Sequence, residues 1–228
     1  MKVGIFTDTH FSMLREKKAC PEDIKIALEI LKDNCDFIVC IGDLIDTDAS
    51  HEVETDNLKR IKAIFDEFNL KIYVMLGNHD ALCFTTEEFY GILGEKYRPH
   101  PFSLDEYRIL FLNTCHYKDG SDYAVGVRDF SEAYFDDMNG LNEEMRAYSN
   151  KKKVIFSHHT IDPNAKLISR ASNSDEILEL LKNFNSDIDI YIFQGHEHGR
   201  RSSVLGNIHF ETFPAMAKDK NAFFSVEI

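Results

Sequence analysis

The sequence predicts a layered α/β protein whose sheet strands are largely parallel. Short apolar runs rich in Val, Ile, Phe and Tyr recur along the chain, and several are separated by segments whose apolar residues have helical spacing. Hydrophobic residues make up 43% of the 228 residues, with 18 Phe and 9 Tyr, which is enough to fill a sizeable core. With only 11 Gly and 5 Pro, the composition is not that of a linker or a collagen-like chain. We therefore expect one domain over residues 1–228.

Five of the apolar runs are too short for a buried helix and are predicted to be buried strands. They cover residues 3–6, 37–41, 72–76, 154–156 and 188–193. Three segments between them have apolar residues spaced as in amphipathic helices, namely 21–32, 58–68 and 174–184. Ser174 is predicted to be an N-cap, because acidic residues follow it in the first turn. Strands that alternate with helices predict a parallel sheet covered by helices.

The middle and the end of the chain have a different pattern. Two hairpins are predicted there, formed by 100–104 with 107–113 and by 203–205 with 208–210. The second hairpin turns at Gly206 and Asn207, residues that suit a tight turn. The other predictions are a last strand over 222–228 and a long loop over the polar, weakly patterned segment 116–140.

The charge balance narrows the choice of partners and location. With 26 Lys plus Arg against 39 Asp plus Glu, the formal net charge is −13. A surface this acidic repels nucleic-acid backbones and anionic lipid, so we expect neither a nucleic-acid partner nor a membrane partner. No apolar stretch approaches the roughly 18–20 residues that span a bilayer, and the first residues lack the apolar region of a signal peptide. Five cysteines without C-x-x-C spacing indicate free thiols, so we predict a cytoplasmic protein.

Polar side chains that can bind metal follow each of the five predicted strands. The segments are Asp8-Thr9-His10, Gly42-Asp43-Leu44-Ile45-Asp46, Gly77-Asn78-His79-Asp80, His158-His159 and Gly195-His196-Glu197-His198. Ligands of open α/β sheets bind outside the carboxyl ends of the strands, so these segments are expected to converge on one place. Six of the ten histidines lie in them.

Each segment taken alone has an ordinary structural explanation. Asp and His commonly cap turns, and Asn beside Gly tolerates left-handed backbone. The strongest single motif is Gly-His-x-His, because side chains two positions apart on an extended chain point to the same side. Coincidence can account for any one of the five, but not comfortably for all of them at successive strand ends.

Together, the five segments resemble the pattern of the calcineurin-like metallophosphoesterases. The family pattern is Asp-x-His, Gly-Asp-x-x-Asp, Gly-Asn-His-Asp/Glu, a later His and Gly-His-x-His, and all of it is present here in order over about residues 3–200. Within the family, the chain looks most similar to the small bacterial cyclic-nucleotide and glycerophosphodiester phosphodiesterase-like branch. The resemblance implies a four-layer αββα sandwich with two mixed β-sheets.

The resemblance also implies two divalent transition-metal ions. The implied ligands are Asp8, His10 and His198 for one ion, Asn78, His158 and His196 for the other, and Asp43 as the bridge. Nitrogen and oxygen donors without a thiolate favour Mn, Fe or Zn over Mg or Ca. Asp46 is expected to support a ligand or cap a helix rather than bind metal.

Catalytic roles follow from the same resemblance. His79 would stabilise the phosphoryl group or protonate the leaving alkoxide, and Asp80 would hold its ring. Asn78, His79 and His159 are expected to contact the substrate. Arg200 and Arg201 could clamp a phosphate or could be solvated surface residues. The expected reaction is hydrolysis of a small phosphodiester or nucleotide by a hydroxide that bridges the two metals.

Other functions remain open at this stage. A phosphomonoesterase, a protein Ser/Thr phosphatase or a nucleotide pyrophosphatase could use the same dinuclear site. A different class of function is a non-catalytic metal-binding scaffold for protein interactions, since some members of the family have lost their metal ligands. This chain retains all of the expected ligands and His79.

Overall fold

Two β-sheets lie face to face in the computed structural model, which describes residues 1–14, 19–47, 49–123, 132–184 and 187–228. The strands are β1 (Lys2–Phe6), β2 (Phe37–Cys40), β3 (Ile72–Val74), β4 (Phe102–Leu104), β5 (Tyr107–Leu112), β6 (Lys152–Ser157), β7 (Ile190–Gln194), β8 (Arg201–Leu205), β9 (Ile208–Thr212) and β10 (Phe223–Glu227). The α-helices are α1 (Pro21–Leu31), α2 (His51–Asp66), α3 (Asn78–Cys83), α4 (Thr86–Leu93), α5 (Met138–Ala147) and α6 (Ser174–Lys182). Short 3₁₀ turns cover Glu95–Tyr97 and Leu167–Ser169.

Both sheets are mixed. The first has the strand order β10-β1-β2-β3, in which β1, β2 and β3 are parallel and β10 runs antiparallel to β1. The second has the order β4-β5-β6-β7-β9-β8, in which β5, β6, β7 and β9 are parallel, while β4 and β8 are antiparallel edges. Parallel neighbours end at the same edge, so each sheet gathers the loops that follow its parallel strands at one rim.

Helices cover the outer faces of the sheets. Helices α1 and α2 bury Leu28 and Phe65 in an apolar cluster with residues of β1, β2 and β3. Helices α5 and α6 bury Met145 and Leu181 in a second cluster against the other sheet. A third cluster, rich in aromatic residues such as Phe156, lies between the sheets. The four-layer αββα architecture with two mixed sheets is thereby confirmed.

The structure places the starts of three helices differently from the predictions. Helix α2 begins well before residue 58, because Ser50 caps it and accepts a hydrogen bond from the N–H of Val53. Helix α5 begins inside the predicted loop 116–140, of which residues 124–131 lie outside the described part. Ser174 is the first helical residue rather than the cap, since Asn173 occupies the N-cap position. Among the residues described, no helix is long and apolar enough to cross a bilayer.

Candidate metal centre

The turns that carry the expected ligands have unusual backbone geometry. Asp8, His10, Asp43, His196 and His198 all adopt positive φ, between 45° and 66°. Non-glycine residues avoid this left-handed region, and an L side chain there is strained. Concentration of such residues in three turns at one rim is typical of a functional site that the surrounding fold holds in place.

Two glycines allow these turns to approach one another. A Cβ atom at Gly77 would lie 2.2 Å from both the backbone nitrogen and the Oδ1 atom of Asp43. At Gly195, a Cβ atom would lie 2.4 Å from Thr7 Oγ1 and 2.8 Å from Asp8 Oδ2. No side chain fits at either position, so glycine is what lets one strand end pack against the carboxylate of the next.

The expected ligands meet in two adjoining clusters. Asp8, His10, Asp43 and His198 form the first cluster, and Asp43, His158 and His196 form the second; within each, one ligand atom from every residue lies within 4.8 Å of the others. Asn78 joins the second cluster, because its Oδ1 atom lies 3.1 Å from His158 Nε2. Four of these residues follow strands of the first sheet and three follow strands of the second, so the candidate site lies where the rims of the two sheets meet.

Asp43 belongs to both clusters. Its Oδ2 atom lies 3.6 Å from His10 Nε2 and 3.3 Å from His158 Nε2. Its Oδ1 atom accepts a hydrogen bond from the backbone N–H of His79 at 2.8 Å. Ligands about 2.1 Å from a common ion are separated by roughly 3 Å or slightly more, so these spacings fit a carboxylate that bridges two ions.

The histidine rings are oriented by acceptors outside the clusters. His158 Nδ1 donates to the main-chain carbonyl of Ile41 at 2.7 Å, and His10 Nδ1 lies 3.1 Å from the Asp46 carboxylate. A carbonyl or carboxylate oxygen can only accept, so Nδ1 carries the proton and Nε2 is directed toward the cluster. Metal-binding histidines are held in this way in proteins.

The carboxylates of the two clusters, Asp8 and Asp43, are buried but charged. Burial by itself would raise the pKa of Asp8, but the neighbouring imidazoles of His10 and His198 outweigh it and hold that pKa well below its usual range. Likewise, the imidazoles around Asp43, His158 foremost, outweigh burial and hold its pKa well below the usual range. Asp8 Oδ1 is buried and lies 3.1 Å from His198 Nε2, so its neighbours are the imidazoles of the cluster. An ionised buried oxygen of this kind needs a cation.

Two histidines of the clusters respond to these charges. Burial would lower the pKa of His10, but the carboxylates of Asp46 and Asp8 raise it to about 10. Burial would also lower the pKa of His158, which Asp43 raises to about 9. His196 behaves differently, since burial and the charge of His158 lower its pKa to about 4. The potential that holds protons on two imidazoles is the one that attracts divalent cations, and the donor set fits transition metals.

His79 lies at the open side of the clusters, with 27% of its side chain exposed. Its Nδ1 atom donates to the main-chain carbonyl of Asp46 at 2.8 Å, and its ring packs edge-on against that of His10, with centroids 4.5 Å apart. Nδ1 of His79 is thus engaged with the main chain, and the ring is held at the edge of the first cluster.

The role expected for Asp80 needs correction. Its buried carboxylate accepts backbone N–H groups of Gly77, Leu44 and Ile45 at 2.9 to 3.0 Å. It therefore joins the turn after β2 to the start of α3, whereas Asp46 provides the acceptor that orients the His79 ring. The sequence pattern predicted the wrong acidic residue as the partner of His79. The acceptor is a main-chain carbonyl, and residue types do not reveal which carbonyl will accept a hydrogen bond.

The substrate contact expected for His159 is also corrected. Its side chain is fully buried, and Nδ1 lies 2.8 Å from the Thr114 hydroxyl. The ring packs on His196 with centroids 4.6 Å apart. A side chain without exposed surface is not placed to touch a substrate, and His159 lies behind His196 instead. Asn78 is buried as well, at 1% exposure, and faces the second cluster.

The two arginines after the last motif are paired with acids. Arg200 donates from Nε to Glu211 at 3.1 Å, and Arg201 contacts Glu197 and donates to the Asn164 carbonyl. These pairings favour the surface explanation for both arginines over the phosphate clamp.

The protein has a four-layer architecture and two adjoining clusters that share one carboxylate. These features define a class of protein that can hold a pair of metal ions at the rim of a sandwich. The sequence profile of the calcineurin-like phosphoesterases matches residues 1–200, and the chain belongs to that family. It is therefore a hydrolase of phosphoric ester bonds, from a family that depends on dinuclear metal centres. None of the curated proteins matches the chain in sequence.

Solved structures share the fold at low sequence identity. A dimetal phosphatase from Danio rerio has 16% identity and a TM-score of 0.77, over 98% of this chain and 91% of its own. The phosphopantetheinyl hydrolase of Mycobacterium tuberculosis has 10% identity and a TM-score of 0.54, over 99% and 95%. The anchor of the inner membrane complex of Plasmodium has 11% identity and a TM-score of 0.59, over 100% and 77%. At these identities the likeness concerns the fold.

Proposed function

We propose that the protein hydrolyses a small phosphodiester or nucleotide at a pair of divalent transition-metal ions, Mn, Fe or Zn. The observation that carries the proposal is the position of Asp43 Oδ2, 3.6 Å from His10 Nε2 and 3.3 Å from His158 Nε2, because a shared carboxylate is what joins two ions in one site. When bound, the two ions would neutralise phosphate charge and lower the pKa of a water molecule toward neutrality.

Each residue of the site has a part in this proposal. One ion would be held by Asp8, His10 and His198 and the other by Asn78, His158 and His196, and Asp43 would belong to both sets. Asp46 orients His10, and the carbonyl of Ile41 orients His158. Buried neighbours such as His159 exclude water from the rear of the site.

His79 is the proton donor in this scheme. Its partly exposed ring lies beside the first cluster, with Nδ1 bound to the Asp46 carbonyl. When the phosphoester is cleaved, its alcohol group departs as an alkoxide. An alkoxide is a poor leaving group unless a proton is delivered to its oxygen. His79 Nε2 would deliver that proton or bind a phosphate oxygen.

The acidic surface supports a small substrate. A long polyanion would meet a protein of net charge −13, whereas a small ester needs to pass only the rim of the site. The same charge is compatible with the cytoplasmic location, which remains part of this proposal.

A hydrolysis panel tests the proposal. Cyclic nucleotides, glycerophosphodiesters, nucleoside diphosphate derivatives and phosphopeptides would be assayed with Mn and with Zn, beside Asp43→Asn as the inactive control. We expect metal-dependent turnover of a small diester or nucleotide that Asp43→Asn abolishes. A protein that binds no divalent metal and turns over none of these compounds would be a scaffold instead.

A further inference from the structure

The two oxygen atoms of the Asp8 carboxylate have different surroundings. Oδ1 lies 3.1 Å from Nε2 of His198 and 3.8 Å from Nε2 of His10, so it faces the imidazoles of the first cluster. Oδ2 accepts a hydrogen bond from the Thr7 hydroxyl at 2.6 Å and another from the backbone N–H of His196 at 3.1 Å. Oδ1 is therefore the oxygen that faces the place proposed for the first ion.

The Thr7 hydroxyl is the side-chain donor in this arrangement, and its surroundings hold it in place. Thr7 and Asp8 are both fully buried, so water does not compete for the hydrogen bond between them. Gly195 packs so closely that a Cβ atom there would lie 2.4 Å from Thr7 Oγ1. The main-chain carbonyl of Thr7 accepts the N–H of Met216 at 3.0 Å. At 2.6 Å, the bond from this hydroxyl to an ionised carboxylate belongs to the strong, charge-assisted class.

The main chain of Asp8 is fixed as well. Its N–H donates to the Gly42 carbonyl at 3.0 Å, and its carbonyl accepts the N–H of Ala217 at 2.9 Å. The carboxylate can then move only by rotation of the side chain. A rotation that turned Oδ2 toward the cluster would break both of its hydrogen bonds, which is costly for a buried charged group.

The other carboxylate shared by the clusters is held differently. Oδ2 of Asp43 faces the imidazoles, and its Oδ1 accepts the backbone N–H of His79 at 2.8 Å. In the part of the chain that the structure describes, the outer oxygen of Asp43 thus has a main-chain donor, which a change of side chain leaves in place. The outer oxygen of Asp8 depends in part on the side chain of Thr7, so its support can be removed by substitution.

We propose that Thr7 is a positioning residue of the metal centre, whose hydroxyl holds Asp8 Oδ2 and thereby keeps Oδ1 directed at the first ion. This inference rests on the proposed function and adds to its site a residue that is itself no ligand. Ligands that are held in place before the ion arrives bind it more tightly, because less conformational freedom is lost on binding. Without the hydroxyl, Oδ2 would keep only the N–H of His196, and the carboxylate would turn more freely.

Removal of the hydroxyl without a change in side-chain size tests this role. Thr7→Val is expected to lower the affinity of the first site for Mn by about 10- to 100-fold, the usual effect of losing a group that orients a ligand. The second site should keep its affinity. Titration of the metal-free protein with Mn, followed by the EPR signal of the unbound ion, measures both steps. His198→Ala identifies the step of the first site, because it removes a proposed ligand of that site alone.

Two further variants are controls. Thr7→Ser keeps the hydroxyl and should bind Mn at both sites as the wild type does. Thr160→Val removes another fully buried hydroxyl, which donates to the Ser169 carbonyl at 3.0 Å, and should lower thermal stability without changing either affinity. If Thr7→Val does not fold, comparison of Thr7→Ala with Thr7→Ser gives the same test, because these two variants differ by a single oxygen atom.

Three results would overturn the role of Thr7. The first is wild-type affinity at both sites in the variant without the hydroxyl. The second is equally weak binding in Thr7→Ser, which would assign the effect to the shape of the side chain. The third is equal weakening of both sites, which would indicate a general loss of structure. Two bound ions without turnover of any ester in the panel would instead remove the proposed function and leave the role of Thr7.

Discussion

Asp46 holds His79 and His10 with two different groups. Its main-chain carbonyl accepts from His79 Nδ1 at 2.8 Å, while its carboxylate lies 3.1 Å from His10 Nδ1. The backbone of one residue thus orients the proposed proton donor, and its side chain orients a proposed metal ligand. A substitution of the side chain should disturb the second function and leave the first.

Asp46→Asn is therefore expected to weaken metal binding more than it alters the proton donor. Loss of a carboxylate behind a ligating histidine typically lowers metal affinity about 10- to 100-fold. Titration of the metal-free protein with Mn measures the effect. Asp56→Asn, at a carboxylate with a 60% exposed side chain on α2, is the control and should bind Mn as the wild type does. Equal affinity in Asp46→Asn would show that the carboxylate does not support His10.

His79→Ala should lower kcat by about 10²- to 10⁴-fold, the usual contribution of a positioned acid, with the metal content retained. The ring is not among the proposed ligands, so elemental analysis should still give the wild-type metal ratio. His209→Ala, at a half-exposed histidine on β9, is the matched control and should keep full activity. Loss of metal from His79→Ala would instead make His79 a ligand.

Gly77→Ala should abolish activity, because the new methyl group would lie 2.2 Å from Asp43 and displace the proposed bridge. Gly91→Ala is the control, since a Cβ atom there meets nothing within 4 Å on helix α4. Alanine in a helix is favoured over glycine by roughly 0.5–1 kcal/mol, so the control should melt at the same or a higher temperature. Full activity in Gly77→Ala would show that the two turns can separate without harm.

The His159→Gln variant tests whether His159 supports the site or contacts the substrate. A residue buried behind His196 should change thermal stability and metal affinity while KM for the substrate stays constant. Thr114→Val, which removes the hydroxyl partner of His159, should act in the same direction. A higher KM at unchanged metal affinity would show that His159 contacts the substrate after all.

Lys153 makes stability depend on pH in the alkaline range. Its side chain is fully buried, with Nζ bound to the carbonyls of Tyr148 and Lys151, and burial lowers its pKa to about 8. Between pH 8 and the ordinary lysine value near 10.5, the unfolded chain binds more protons than the folded one, so the unfolding free energy rises with pH.

Urea unfolding of the wild type and Lys153→Met at pH 7 and pH 10 measures this dependence. The wild type should gain stability relative to the variant as the pH rises. A parallel change in the two proteins would place the amine in contact with water. Lys152→Met, at the neighbouring partly exposed lysine, is the control and should follow the wild type.

The sequence predicted the features of the site that depend on side-chain type. It predicted few of those that depend on main-chain hydrogen bonds. Strand ends and clustering of acids and imidazoles were foreseeable, because apolar runs mark strands and Asp, Asn and His are visible in the sequence. The acceptors for His158 and His79 are carbonyls of Ile41 and Asp46, which any residue could supply. For that reason Asp80 was paired with the wrong partner.

Tertiary burial accounts for the other differences. Lys153 belongs to a run of three lysines, a residue type that is rarely buried, yet the fold closes over its side chain. Helix α5 was missed because only Leu141 and Met145 of its residues are buried, which leaves a faint apolar pattern. His159 was predicted to contact the substrate because the sequence does not show which of two adjacent histidines is buried.

The pairing of β1 with β10 joins residues from opposite ends of the sequence, with Lys2 beside Glu227 and Phe6 beside Phe223. A ribosome must therefore synthesise more than two hundred residues after β1 before its outer partner exists. Until then the nascent chain carries an uncovered strand edge next to Asp8 and His10, and contacts this distant in sequence form slowly. The sheet that supports the first two proposed ligands can thus be completed only after all of its other strands have been synthesised.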